Sequence, residues 1–147
     1  MNSFDVCIVG QIVKDYNFLP AKGKRFIKLP GGTAFYSTQA YNVLGLKTAV
    51  LTSFDKNDIF DLTSDFKNGK ISIFNNKNAT TTEFRNYYRK KKLNFRSQEA
   101  IFNNRPVRGK LKKAKIYHFG PLILNDIDIK LYQVVKKLNG LKVIDIQ

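Results

Sequence analysis

Residues 115–146 read KIYHFGPLILNDIDIKLYQVVKKLNGLKVIDI, and this stretch decides the fold class. Lys115–Phe119 is rich in apolar and aromatic residues and predicts a strand that ends at a Gly-Pro pair. A helical pattern follows from about Asp126 to Leu138, and Val143–Ile146 predicts a further buried strand. A strand, a helix and a strand in succession predict a parallel sheet with a right-handed connection.

The ends of the predicted helix carry ordinary signals. Asn125 is the expected N-cap, Asp126 and Asp128 lie in the first turn, and Gly140 stops the helix. One face is apolar and predicts contact with the sheet; it comprises Ile127, Leu131, Val134, Val135 and Leu138.

The amino-terminal third repeats this alternation of strand and helix. Val6–Val9 is an apolar run that predicts a strand buried on both faces, and Thr48–Thr52 predicts the next strand. Between them, Tyr16–Leu29 predicts a short hairpin, and Pro30-Gly31-Gly32 opens a helix that ends before Gly45. The apolar positions expected on this helix are Phe35, Tyr36, Ala40, Val43 and Leu44.

The middle of the chain is more polar. Asp55–Gly69 predicts a short amphipathic helix, and Ile71–Phe74 predicts a strand. Thr80–Phe95 is rich in Thr, Phe and Tyr, which favour strands, and its polarity predicts a sheet with one wet face. The whole pattern predicts an α/β fold with a mainly parallel sheet, flanking helices and a small additional β structure.

The chain has 147 residues and a formal net charge of +15. Arg85–Lys115 contains twelve Lys or Arg residues and one acid, Glu99. This charge allows two interpretations: a surface for nucleic acid or another anion, or the compositional bias of a chain rich in Lys, Asn, Ile and Phe. We favour the second, and expect no nucleic-acid partner, because no nucleic-acid-binding motif accompanies the charge.

Three features of the sequence bear on the cellular location of the protein. No apolar run approaches the roughly 20 residues that span a bilayer, and the amino terminus does not resemble a secretory signal. The single cysteine, Cys7, cannot form an internal disulfide. We therefore expect a cytoplasmic protein without a membrane partner.

Two features indicate a ligand site. Gly31-Gly32 precedes a helix, where small residues and free N–H groups let a ligand approach the backbone, although such a pair is more often a tight turn. Asp15 follows the first strand, at the sheet edge where ligands bind, although it could be a solvated loop acid. His118, the single histidine, is expected to be packed rather than catalytic, and no spacing of residues predicts a metal site.

Together these segments resemble the ribokinase-like (PfkB family) carbohydrate kinases along the length of the chain. They match, in order, the family's first strand and loop, its glycine signature, its threonine-rich strand pair, the strand before its central helix, and the strand after it. The matching segments are Val6–Asp15, Leu29–Ser37 with Leu44-Gly45, Thr80–Phe84 with Tyr87 and Arg96, Ala114–Leu122, and Val143–Gln147.

This resemblance implies an α/β sandwich with a small β lid, built here from about residues 16–29 and 80–95. It implies that Asp15, Gly31 and Gly32 contact the hydroxyls of a sugar or nucleoside. Tyr36 is a fourth expected substrate residue, at a position where ribokinase itself has Asn and some branches carry an aromatic. It also implies ATP and Mg²⁺ for a complete family member, and lid-mediated dimers in several members.

One departure from the family shapes the functional expectation. The family's catalytic base lies in a Gly-x-Gly-Asp motif of the second half, and this sequence contains no Gly-Asp dipeptide. Residues 1–147 are therefore expected to be a single incomplete domain, the amino-terminal, substrate-binding half of an ATP-dependent sugar or nucleoside kinase, with no catalytic residue and no activity alone. Two alternatives remain: a non-catalytic sugar-binding or dimerising module, and a basic nucleic-acid-binding protein. The expected protein partners are a second copy or a missing carboxy-terminal half.

Overall fold

A computed structural model describes residues 3–19, 25–66, 70–77, 79–89, 95–101 and 105–145. In chain order its elements are β1 (Phe4–Gly10), β2 (Val13–Leu19), β3 (Arg25–Gly31), α1 (Thr33–Val43), β4 (Thr48–Thr52), α2 (Ile59–Thr63), β5 (Ile71–Asn75), β6 (Glu83–Arg89), β7 (Phe95–Ile101), β8 (Ala114–Gly120), α3 (Ile129–Val135) and β9 (Leu141–Ile144). The predicted α/β class is confirmed.

Within the described residues, the main sheet has five strands in the order β5-β4-β1-β8-β9, all parallel. β1 lies at the centre of this sheet. Its apolar side chains alternate between two hydrophobic clusters, one on each face, so both faces of β1 are covered. Val6 and Ile8 pack with Phe35 on the side of α1 and α2. Cys7 and Val9 pack with Leu131 on the side of α3. The run Val6–Val9 is fully buried, as its sequence predicts.

Helix α1 is present as predicted, but its buried face is different. Thr33, Ala34, Phe35 and Thr38 are buried, whereas Tyr36, Ala40, Val43 and Leu44 are exposed. The reason is the close approach of the helix to the sheet. The Thr33 side chain lies against the α-carbon of Gly120, so the first turn of the helix, with Thr33, Ala34 and Phe35, faces the strands and Tyr36 points outward.

Helix α3 is shorter than predicted. It begins after Asp128, whose carboxylate caps the helix by accepting from the Lys130 N–H at 2.9 Å. Asn125, the expected cap, has a φ of 63° and lies outside the helix. Residues before Asp128 cannot be helical because Ile127 forms a β-bridge with Val107.

Strand β9 begins two residues before the predicted strand and is less buried than predicted. It pairs only with β8 in the described part of the chain and forms one edge of the main sheet. Leu141 and Ile144 are 62% and 52% exposed, because no described element packs over that edge. The run Val143–Ile146 was predicted to be a buried strand, and the exposure of Ile144 contradicts that burial within the described residues.

A second sheet is formed by strands in the order β3-β2-β6-β7. β2 and β3 are an antiparallel hairpin, β6 and β7 are another antiparallel pair, and β2 joins them by pairing parallel to β6. The segments predicted as lid, 16–29 and 80–95, lie mostly in these strands. Residues 80–82 precede β6, and residues 20–24 and 90–94 are outside the described residues. The strands also extend beyond the predicted bounds, to Val13 and to Ile101.

Polar side chains attach the base of the second sheet to the main sheet. The buried Thr82 hydroxyl donates to Gln11 Oε1 at 2.5 Å, directly after β1. The Thr81 hydroxyl donates to an Asp58 carboxylate oxygen at 2.6 Å, and Lys14 Nζ lies 2.8 Å from the same oxygen. These contacts hold β2 and β6 at a fixed position over one end of the main sheet.

The turn between β3 and α1 gives a direct test of this architecture. Gly32 has φ 89° and ψ 156°, a region that is essentially restricted to glycine, and a β-carbon there would lie 2.5 Å from the Gln11 carbonyl oxygen. Gly32→Ala is therefore expected to lower the free energy of unfolding by about 3 kcal/mol or more, through strain and overlap together. Urea denaturation followed by circular dichroism measures this loss.

Gly45→Ala is the matched control for that substitution. Gly45 also has a positive φ, 72°, but the nearest atom to an added β-carbon is the mobile Lys70 ammonium at 3.5 Å. Its expected cost is the backbone strain alone, about 1–2 kcal/mol. Equal losses for the two variants would contradict the close packing of Gly32 on Gln11.

Candidate functional site

A cleft of about 260 Å³ lies between the amino-terminal end of α1 and the second sheet. Its walls follow the two-residue alternation of β2 and β6, since every second side chain of a strand faces the same way. The lining residues are Val13, Asp15 and Asn17 from β2, Phe84, Asn86 and Tyr88 from β6, Gln98 from β7, Gly32, Thr33 and Tyr36 around the start of α1, and Leu122 after β8.

Three of the four predicted substrate residues, Asp15, Gly32 and Tyr36, line this cleft. Gly31, the fourth, lies directly behind Asp15: a β-carbon at Gly31 would overlap the Asp15 carboxylate. The strand register explains this proximity, because Asp15 pairs with Leu29 and Val13 pairs with Gly31. The structure therefore brings all four residues together, although their role in binding stays a prediction.

Tyr36 forms part of the cleft's rim. Its side chain is 59% exposed, and its ring packs edge-on against Phe35 with 5.4 Å between centroids. Partial burial raises the pKa of the Tyr36 hydroxyl, and the nearby Asp15 carboxylate and Tyr88 add to this effect. The hydroxyl therefore stays protonated at neutral pH and can donate a hydrogen bond to a ligand.

Three amide side chains form a hydrogen-bonded row across the second sheet. Gln98 Nε2 donates to Asn86 Oδ1 at 3.1 Å, and Asn86 Nδ2 donates to Asn17 Oδ1 at 3.0 Å. Asn86 is buried at the centre of the row. Sequence reasoning missed these residues, although the alternation of 13, 15, 17 and of 84, 86, 88 on two strands could have indicated one shared polar face.

The cleft's chemistry can be compared with the ATP and Mg²⁺ that the predicted family implies. Asp15 is the sole carboxylate, and no Lys or Arg occurs, among the described lining residues. Elsewhere in the described ranges, no group of three or more His, Cys, Asp or Glu residues could hold a metal ion. These residues do not fit a magnesium triphosphate; carboxylate, amide and hydroxyl groups instead suit neutral hydroxyl compounds.

His118 lies on β8, away from the cleft lining. Its Nδ1 is 3.2 Å from the Tyr41 hydroxyl oxygen, and the two rings pack edge-on at 5.7 Å between centroids. Its Nε2 is buried without a hydrogen-bond partner in the described part of the protein. Burial lowers the pKa of His118, and Asp145 partly opposes this effect. Its surroundings favour the packed, neutral role that the sequence predicts.

Cys7 and Asp126 are also buried outside the cleft. Burial raises the pKa of the Cys7 thiol, which therefore stays protonated and unreactive at neutral pH.

Burial also raises the pKa of Asp126, although the N–H groups of Leu122 and Ile123 donate to its carboxylate and partly offset the effect. Asp126 thus fastens the turn after β8, whose Leu122 reaches the cleft.

Comparison with known proteins identifies the fold. No protein-family model and no curated protein sequence matches this chain. A pyrophosphate-dependent kinase of the ribokinase family, solved with a pyrophosphate analog and myo-inositol, matches with a TM-score of 0.74 at 20% identity, over 95% of this chain and 48% of its own. A ribokinase from Cryptococcus neoformans var. grubii serotype A, solved with ADP, matches with a TM-score of 0.66 at 11% identity, over 98% and 50%.

A nucleoside kinase from Methanocaldococcus jannaschii is also similar, with a TM-score of 0.60 at 16% identity, over 99% of this chain and 53% of its own. The chain therefore has the ribokinase-like fold, and the predicted resemblance is confirmed at the level of the fold. It spans about half the length of the solved structures it matches. In the described residues, no helix has the length and apolar character needed to cross a membrane.

The environment of His118 predicts a pH dependence of stability. Because burial holds its pKa below the ordinary 6.5, the unfolded chain binds a proton at a higher pH than the folded chain does. The free energy of unfolding should therefore decrease as the pH falls from about 6.5 toward the lowered pKa. Proton NMR of this single histidine should show one titration, with its midpoint below 6.5.

His118→Gln is the variant that checks the assignment. It removes the titrating group, so the decrease in stability between about pH 6.5 and 5.5 should be smaller than in the parent protein. A midpoint at or above 6.5, or an unchanged pH dependence in the variant, would show that His118 is not held neutral by burial.

Proposed function

We propose that this chain forms the acceptor-binding half of a ribokinase-type sugar or nucleoside kinase, and that the acceptor binds in the cleft beneath the second sheet. The observation that carries the proposal is the convergence of three lining residues, Asp15, Gly32 and Tyr36, with Gly31 directly behind Asp15. The cleft lies beyond the carboxyl end of β1, where ligands bind in parallel α/β sheets.

The groups around the cleft suit a neutral polyhydroxylated ring. The Asp15 carboxylate accepts hydrogen bonds from hydroxyl groups, and the Tyr36 hydroxyl donates or accepts them. Phe84, Tyr88 and Tyr36 offer ring faces and edges to the apolar side of such a ring. A pocket with aromatic walls and a few convergent polar groups is typical of small-molecule sites.

The second sheet is proposed to act as the lid over the bound acceptor. Its base is fastened by Thr82 to Gln11 and by Thr81 and Lys14 to Asp58, while its strands form the cleft's outer wall. Its edge strands β3 and β7 are also proposed as a surface for a second copy of the chain, since an unpaired strand edge can pair with another. A carboxy-terminal half is the alternative protein partner.

Phosphoryl transfer itself is proposed to require residues beyond this chain. The reaction depends on positioning and on stabilising the transferred charge, and the described cleft offers one carboxylate and no basic group. ATP with Mg²⁺ is the proposed donor. The fold alone does not indicate which phosphoryl donor is used, since similar structures include a pyrophosphate-dependent kinase and a ribokinase solved with ADP. We propose cytoplasm as the site of action, in keeping with a single buried thiol.

Binding and turnover can be tested separately on the chain itself. Isothermal titration with D-ribose, myo-inositol and adenosine is expected to show binding of at least one compound, while an ADP-release assay with ATP and Mg²⁺ shows none above the protein-free control. Asp15→Ala should weaken that binding by about 1–3 kcal/mol, because ligand hydroxyls lose a buried acceptor.

Asp65→Asn is the matched control, since Asp65 is an exposed carboxylate after α2 and outside the cleft lining. It should bind as the parent does. No binding of any compound, or equal affinities for the parent and Asp15→Ala, would refute the acceptor site. Turnover dependent on a bound compound would instead refute the proposal that transfer needs further residues.

A further inference from the structure

We propose that the amide row of Gln98, Asn86 and Asn17 determines which groups of the cleft donate hydrogen bonds and which accept them. In this arrangement Asn17 donates to one ligand hydroxyl while Asp15 accepts from another. The ligand class is then a ring compound with at least two free hydroxyl groups, such as a cyclitol or the furanose of a nucleoside. This inference rests on the proposed acceptor site and specifies how that site recognises its ligand.

The direction of the row carries the argument. A carboxamide has one acceptor oxygen and one donor nitrogen. In a hydrogen-bonded row, the orientation of one amide therefore determines which group the next amide must turn toward it. Gln98 donates to the oxygen of Asn86, Asn86 donates to the oxygen of Asn17, and the oxygen of Asn17 is thereby occupied. The Nδ2 group of Asn17 is therefore the donor that we assign to the ligand, since Asn17 lines the cleft.

Burial fixes this arrangement at its centre. Asn86 is 3% exposed, so turning its amide around without a partner's change would leave a buried donor and a buried acceptor mismatched. Asn86 is therefore a positioning residue, since both of its polar atoms are used within the row. Gln98 lies at the exposed end of the row, where a substitution can change the direction of the row without altering its buried centre.

Asn17 and Asp15 make a complementary pair on one strand. They are two residues apart on β2 and both line the cleft, which places their α-carbons roughly 7 Å apart along the strand. One side chain presents an acceptor and the other a donor. A single ring can use both when one hydroxyl donates to Asp15 and another accepts from Asn17 Nδ2.

Gln98→Glu tests the inference without placing a charge in the buried centre. A glutamate carboxylate only accepts, so Asn86 must turn to donate to it, and Asn17 must then turn to donate to Asn86. The oxygen of Asn17 would face the cleft beside Asp15, so both of these β2 residues would accept and neither would donate. The control is Glu99→Gln, an equally small change on the next residue, whose carboxylate pairs with Arg85 on the opposite face of the sheet.

The measurement compares the dissociation constant of an O-methyl ether with that of its parent polyol, using 2′- and 3′-O-methyladenosine with adenosine, and O-methyl derivatives of myo-inositol with myo-inositol. A hydroxyl can donate or accept, whereas an ether oxygen only accepts, so the ether reports which way the Asn17 amide faces. For one methylated position, this ratio should be roughly tenfold larger in Gln98→Glu than in the parent and Glu99→Gln, with an unchanged melting temperature.

The outcomes separate this inference from the proposed function. If polyols bind and Asp15→Ala weakens them, but Gln98→Glu keeps the parent ratio, the acceptor site stands and the amide mechanism is overturned. A proportional loss for polyol and analogue also overturns it, since that pattern indicates a general effect on the cleft. If the parent binds no polyol, the proposed function fails and this inference fails with it.

Discussion

The turn between β3 and α1 is the constraint on which the site depends, because neither of its glycines has room for a side chain. At Gly32 the backbone has a conformation available to glycine and packs on the Gln11 carbonyl, which brings the second sheet's hairpin and the first helix against the end of β1. At Gly31 the missing side chain leaves the space that the Asp15 carboxylate occupies. One dipeptide therefore sets both the course of the chain and the position of the acidic group.

The second sheet depends on a different kind of interaction. The main sheet is held by apolar burial on both faces, whereas the second sheet is joined to it by polar contacts at its base. The amide row links strands within the second sheet. Directional hydrogen bonds fix the orientation of side chains in a way that apolar packing does not. The main sheet therefore has an apolar core, whereas the cleft face of the second sheet carries amide side chains that are oriented by hydrogen bonds.

Charge is distributed unevenly between the surface and the cleft. The chain carries a formal net charge of +15, yet the described cleft lining contains one carboxylate and no basic side chain. Strand alternation contributes to this separation: Lys14 points away from the cleft to Asp58, and Arg85 points away to Glu99, while their neighbours Asp15 and Asn86 face inward. The overall charge is thus a poor guide to the ligand of this site.

The sequence by itself determined the strands and helices of the main sheet, because buried parallel strands such as Val6–Val9 are continuous apolar runs and Gly45 ends a helix by a local mechanism. It also indicated Asp15, Gly31 and Gly32 as candidate ligand residues, and the resemblance to the kinase family added Tyr36. It could not place the buried face of α1, the start of α3 or the exposure of β9, since each depends on which element packs nearby. The amide row was decided by tertiary structure alone, because its three residues lie on three different strands. The parallel pairing of β2 with β6 brings Asn17 to Asn86, and the antiparallel pairing of β6 with β7 brings Gln98 to Asn86.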